Sequence, residues 1–121
     1  MKAINLAEKY TKFNKQWHPH KIAQVDDMQV IIAKIQGEFV WHAHEHEDEL
    51  FMVIKGTLHM QYRDRTEIIR EGELVVVPKG VEHCPKSQDD KEVHILLFEK
   101  QSTSHTGEVE DEKTVSHYPK I

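Results

Sequence analysis

Val40-Trp41-His42-Ala43-His44-Glu45-His46-Glu47-Asp48-Glu49-Leu50-Phe51 concentrates the chemistry of this chain: three histidines and three glutamates, with an apolar run following at once. His42 and His44 stand two apart, a spacing that on an extended strand points both imidazoles to one face. Glu49 opens the run Leu50 to Ile54, which reads as a strand. A further histidine, His83, follows a second turn-rich segment. Three imidazoles and one carboxylate converging on a point would make a divalent transition-metal site. The local ligand choice is not unique, because His46 and Asp48 lie within reach. Residues 42, 44 and 46 share a face if the strand continues, whereas the acidic segment Glu45 to Asp48 reads as a turn that releases His46. Glu49, Phe51 and Val53 share a face, so an inward Glu49 carries the other two inward. Only the fold can bring His83 to the others.

Short strands extend on both sides of this stretch. Lys21 to Val25 is broken by Asp26-Asp27, and Met28 to Ile35 is rich in β-branched residues. Gln36-Gly37 is a turn that leads through Glu38 to Trp41 into the histidines. After Leu50 to Ile54, Lys55-Gly56 turns the chain into Thr57 to Tyr62, and Arg63-Asp64-Arg65 forms a hairpin tip. Thr66 to Arg70, Leu74 to Val77, Val81 to Pro85 and Val93 to Phe98 follow, separated by turn residues. Many short strands with frequent turn signals predict an all-β sandwich or barrel. Before them, Asn5 to Phe13 reads as a short helix capped by Asn5, with Glu8 in capping-box position. The polar stretch Lys100 to Ile121 reads as an extended arm or partly ordered tail. The chain thus divides into an N-terminal helix and lead-in (1–20), a barrel (21–99) and a C-terminal tail (100–121).

The segment from Gly37 through His42, His44 and Glu49 to Gly56 resembles the first cupin motif: a glycine, a His-x-His pair, a glutamate and a closing glycine. Gly72 through Pro78 and Gly80 to His83 is similar to the second. Four of the chain's five glycines fall on motif positions. The likeness covers about Met28 to Phe98, and its wording is that of small single-domain cupins, many of unassigned function. It implies a cupin jelly-roll β-barrel with a metal in its cavity, held by His42, His44, Glu49 and His83. Two departures stand out. Gly37 lies one residue closer to the His pair than usual, and Ser87 replaces the asparagine that often ends the second motif.

The remaining residues have blander readings. His18 and His20 flank Pro19 without a carboxylate and read as loop histidines. His59 lines the cavity or faces solvent; His94 is a core or interface histidine. Cys84 alternates away from the metal and reads as buried and inert. Trp41 packs outward, against the N-terminal helix or a second subunit. Tyr62 and His59 are the available general bases if they point inward.

The chain's 121 residues suit one domain, and its net charge of −5 lacks the basic stripe that nucleic acid requires. No apolar run approaches the length of a membrane span. One cysteine and no signal-like N-terminus point to a cytoplasmic protein. Strands apolar on both faces, such as Leu96 to Phe98, call for a second cover, and a homodimer would supply it, as would the N-terminal segment or the tail. The expected cofactor is one divalent transition metal (Fe, Mn, Ni or Zn), and the expected partner a small-molecule ligand or substrate. Two function classes fit. One is a metalloenzyme acting on a small oxygenated molecule, of dioxygenase, isomerase or decarboxylase type. The other is a non-catalytic, metal-dependent binding or sensing module.

Overall fold

The β-branched run Met28–Ile35 is a strand over the residues its sequence predicts, and the sheet is built around it. A computed structural model describes residues 1–121. In chain order the elements are α1 (Leu6–Tyr10), β1 (His20–Val25), β2 (Met28–Ile35), β3 (Glu49–Lys55), β4 (Leu58–Tyr62), β5 (Thr66–Ile69), β6 (Leu74–Val77), β7 (His83–Ser87) and β8 (Val93–Lys100). A single 3₁₀ turn, Gln88–Asp90, joins β7 to β8. Five strands form one sheet in the order β1-β2-β8-β3-β6, and three form the other in the order β5-β4-β7. All ladders are antiparallel, and the two sheets close as a jelly-roll barrel.

Alternation along the strands decides what lies between the sheets. Ile31, Ala33 and Ile35 of β2 and Val93, Ile95 and Leu97 of β8 face inward with Phe51 and Val53 of β3. Leu58 and Met60 of β4 meet them from the opposite sheet. Burying each of the larger of these side chains (Ile, Val, Leu, Phe, Met) contributes roughly 1.5–3 kcal/mol relative to exposure.

The outer face of the five-stranded sheet carries a second cluster. Tyr10 and Phe13 from the N-terminal segment lie on Ile22 and Ile32, and Leu96 packs against them. Five residues are too few to hold a helix in isolation, so α1 depends on this docking. Its Asn5 cap accepts the Glu8 N–H at 3.0 Å. The Tyr10 hydroxyl donates to the Ile95 carbonyl at 2.5 Å, and its ring stacks on His94 at 4.4 Å. The helix ends three residues short of the expected Phe13. Phe13 is still tied down, because the buried Lys34 ammonium donates to its carbonyl at 2.8 Å. The chain therefore covers part of its own outer sheet face, while Leu74 and Val76 of the edge strand β6 stay exposed.

The polar segment after β8 folds back instead of extending into solvent. Its end runs beside β1: Lys21 donates its N–H to the Pro119 carbonyl at 2.8 Å, and Ile121 donates to the Lys21 carbonyl at 3.0 Å. Thr106 is fully buried, its hydroxyl donating to the Val109 carbonyl and meeting the Thr114 hydroxyl at 2.8 Å. Polar composition does not leave this segment loose, because its polar groups bond one another and the barrel.

Candidate metal centre

His42, His44, Glu49 and His83 come together inside the barrel, each buried, with one ligand atom apiece and all four atoms within 4.8 Å of one another. The sequence expects the His pair on a regular strand. Instead Phe39, Val40 and Trp41 lie outside any strand, and His42 sits on an isolated bridge to His83. That bridge is reciprocal: His42 N–H donates to His83 O at 3.0 Å, and His83 N–H to His42 O at 2.9 Å. The distant ligand is thus the direct backbone partner of the first.

The turn that carries the second motif is pinned to the first. Gly80 donates its N–H to the His44 carbonyl at 2.7 Å, and Lys79 donates to the Asp48 carboxylate at 2.8 Å. Asp48, an alternative ligand in the sequence, stays outside the cluster and positions this turn instead. The two departures from the cupin pattern meet each other. Gly37 donates its N–H to the Ser87 hydroxyl at 2.7 Å, and Ser87 N–H returns a bond to the Gly37 carbonyl at 2.9 Å.

Two imidazoles are set in one tautomer by their own backbone. His42 Nδ1 lies 2.9 Å from the Val40 carbonyl, and His83 Nδ1 lies 2.9 Å from the Val81 carbonyl. A carbonyl only accepts, so each Nδ1 carries the proton and each Nε2 is left with its lone pair. His44 Nε2 lies 3.2 Å from Glu49 Oε1, and His83 Nε2 lies 3.7 Å from the same oxygen. None of these three atoms has a hydrogen-bond partner although all are sealed from solvent. Burying such groups unpaired costs free energy, and a cation among them removes that cost. The donor set of three nitrogens and one carboxylate oxygen suits a divalent transition metal.

Electrostatics favour the same arrangement. Burial, and then repulsion from His83, push the His42 imidazole down to about 4, so it is neutral near pH 7. Burial opposes ionisation of Glu49, but contact with His44 and His83 outweighs it and holds the carboxyl below the usual range. A fifth group joins them. Glu99 of β8 is buried, and Gln29, its cross-strand partner on β2, donates to it at 3.3 Å. Burial and the negative charge of Glu49 beside it raise the Glu99 carboxyl well above the usual range. The parity of β8 points to it: Val93, Ile95 and Leu97 face inward, and Glu99 is next in that series.

A cavity of about 40 Å³ opens onto His42 and Glu49. At ~10–15 Å³ per water, it has room for about three. Its walls are mostly apolar, including Trp17, Phe39 and Phe51, with Glu99 among the polar members. The Trp17 ring stacks on Phe39 at 4.5 Å, and its indole N–H donates to the Gln36 carbonyl at 3.1 Å. His105 and Tyr118 of the C-terminal segment complete the lining, and both were missed in the sequence.

A family model, the cupin domain, matches residues 28–99, from the first residue of β2 to the penultimate residue of β8. The chain belongs to the cupin family. Among solved structures it is similar to a cupin-2 domain containing protein from Shewanella frigidimarina. The two are 42% identical with a TM-score of 0.79, over 81% of this chain and 94% of that one. It is also similar to protein NMB1881 from Neisseria meningitidis, 30% identical with a TM-score of 0.73, over 83% of this cupin and all of the other. Uncharacterized protein YdbB of Bacillus subtilis is 29% identical over 108 residues, 82% of this chain and 89% of that protein.

Other histidines of this cupin lie away from the site. His46 is exposed beside Glu45. His20 is not a loop residue: it opens β1, buried, with its ring stacked on Phe13 at 4.0 Å. His59 points outward to Gln88 at 3.0 Å, and Tyr62 is packed in the core outside the cavity lining, so neither serves the cavity as a base. Trp41 lies outside the apolar cluster around the helix, and the Arg63 guanidinium lies over its ring at 3.8 Å. Cys84 is fully buried, and burial pushes its thiol up to about 11, which makes it inert.

Proposed function

We propose that this cupin holds one divalent transition metal (Fe, Mn, Ni or Zn) on His42, His44, Glu49 and His83 and receives a small oxygen-bearing molecule beside it. The observation that carries the reading is the set of three buried, unpartnered atoms, His44 Nε2, His83 Nε2 and Glu49 Oε1, facing one another. Bound there, the metal would supply Lewis-acid or oxygen-activating chemistry to a molecule in the cavity. The chain's own residues do the rest. The Val40 and Val81 carbonyls hold His42 and His83 with Nε2 free. Phe39, Phe51 and Trp17 give the cavity an apolar wall. Glu99 adds a carboxyl beyond the four ligands, and this favours an enzyme of dioxygenase, isomerase or decarboxylase type over a binding or sensing module.

Elemental mass spectrometry on untagged protein tests the metal. The expected result is near one equivalent of a single metal in the parent and loss of it in His83→Ala and Glu49→Gln, with circular dichroism confirming that both variants are folded. A parent that is metal-free after chelator-free purification, and that takes up no metal in titration, would falsify the reading.

A further inference from the structure

The sheet edge at β6 is apolar and bare. Leu74-Val75-Val76-Val77 holds no charge, no proline and no bulge, the devices that keep an edge strand from pairing with another chain. The other three edges are managed. The end of the C-terminal segment covers β1, where Lys21 bonds Pro119 and Ile121. Gly37 to Phe39 cover β7, through the Phe39 N–H donated to the Pro85 carbonyl at 2.9 Å and the bonds between Gly37 and Ser87. β5 carries a charge, Glu67, paired with Arg65 at 3.2 Å.

The free backbone groups of β6 can be assigned residue by residue. Val53 donates its N–H to the Glu73 carbonyl at 3.0 Å, so Glu73 turns its backbone toward β3. Alternation turns Val75 and Val77 the same way, and it leaves the N–H and C=O groups of Leu74 and Val76 facing away from the sheet. The same two residues are 55% and 48% exposed. Each ends an apolar row on the outer face: Val76 lies beside Leu50 and then Phe98, and Leu74 beside Met52 and then Leu96. The cluster under α1 reaches Leu96 but not Leu74 or Val76.

We infer that β6 is a homodimer interface, pairing antiparallel with β6 of a second copy about a two-fold axis at Val75. In this register Leu74 faces the partner's Val76, and Val76 faces the partner's Leu74. Each pair exchanges its N–H···O=C bonds, so every outward group of both strands finds a partner. The apolar row that ends at Val76 runs on into the partner's row that begins at Leu74. Charge selects the same sense of pairing. Glu71 and Glu73 precede the strand and Lys79 follows it, and none of the three is in an ion pair within the chain. Arg70 offsets only one of the two negative charges at that end. Antiparallel pairing brings the Lys79 end of each copy to the acidic end of the other, whereas parallel pairing would set like ends together. A second copy therefore carries the complement of this edge in both hydrogen bonding and charge. The interface lies outside the metal centre and does not depend on metal.

The test uses the full chain. Sedimentation equilibrium over a concentration series should show the parent passing from 14.2 kDa to twice that mass. Leu74→Lys combined with Val76→Lys, both at exposed positions, should stay monomeric, with circular dichroism confirming the fold. Lys79→Glu, a surface change that leaves the strand intact, should weaken the dimer roughly two- to tenfold. Hydrogen exchange locates the contact. The Leu74 and Val76 amides should exchange roughly tenfold or more slowly at concentrations where the dimer dominates than where the monomer does. The Val75 amide, turned toward β3, should be protected in both. A parent that is monomeric at every concentration would overturn the inference and leave the edge to a strand from some other protein. A dimer whose Leu74 and Val76 amides exchange freely, or one that persists in the double lysine variant, would also overturn it, since the copies would then meet through another surface.

Discussion

Gly107→Ala should release the C-terminal segment from the barrel without unfolding the barrel. Gly107 has φ +60°, a conformation that costs an L-residue ~1–2 kcal/mol. The new β-carbon would also meet the Ala43 carbonyl oxygen and carbon, which are backbone and have little freedom to move. His42 is bound in both directions to His83, and the His44 carbonyl is held by Gly80. The C-terminal segment, which forms no helix or strand of its own after β8, should yield first. Gly72→Ala is the control, because Gly72 has φ +80° and nothing within 4 Å of a built β-carbon, so it carries the backbone strain without the collision. The assay is native-state hydrogen exchange. The backbone term alone should lower protection of the Val115 and Ile121 amides about 5- to 30-fold, at ~1.4 kcal/mol per factor of ten, and the collision should lower it further. Amides of the β2–β8 ladder should keep their protection in Gly107→Ala. An even loss across that ladder, or unchanged protection at Val115 and Ile121, would refute the view that the segment is docked through Gly107.

Two further expectations follow from the same geometry. In chelator-treated protein, stability should fall as pH drops from about 6.5 to 4, because the unfolded chain takes up a proton on His105 that the folded chain, with this imidazole pushed down to about 4, refuses. Above pH 6.5 both states leave the ring neutral and the effect vanishes. Its full size is at most roughly 3 kcal/mol, and urea unfolding at a series of pH values should show His105→Phe losing that part of the slope; parallel curves for parent and variant would count against a half-buried, neutral His105. Tyr10→Phe removes the bond from α1 to the Ile95 carbonyl and should cost about 1 kcal/mol in urea unfolding. A cost near zero would mean that the helix is held by the apolar contacts of Tyr10 and Phe13 alone.

Parts of the site were legible one residue at a time. His42, His44, Glu49 and His83 stand out because imidazoles and a carboxylate at these spacings match a known motif, and the structure gathers all four. Glu99 was also legible in principle, since β8 alternates and its inward series ends in a carboxylate. It was passed over because a single glutamate after an apolar run reads as the solvated end of a strand. The roles of Asp48 and Ser87 were not legible, because each bonds a residue 31 or 50 positions away.

The sequence by itself determined the strand alternation, the turns and the donor types. β2 and β6 have the bounds their residues predict, because side chains on an extended backbone point to opposite faces whatever lies beyond them. Tertiary structure alone decided which segments meet. It paired His42 with His83 and folded the polar C-terminal segment back, so that His105 became part of the cavity wall. Polar composition predicts a solvated tail when its hydrogen-bonding groups have only water as partner. Here the Lys21 backbone, Ala43 and the segment's own threonines lie within reach, and that proximity exists only once the barrel has closed.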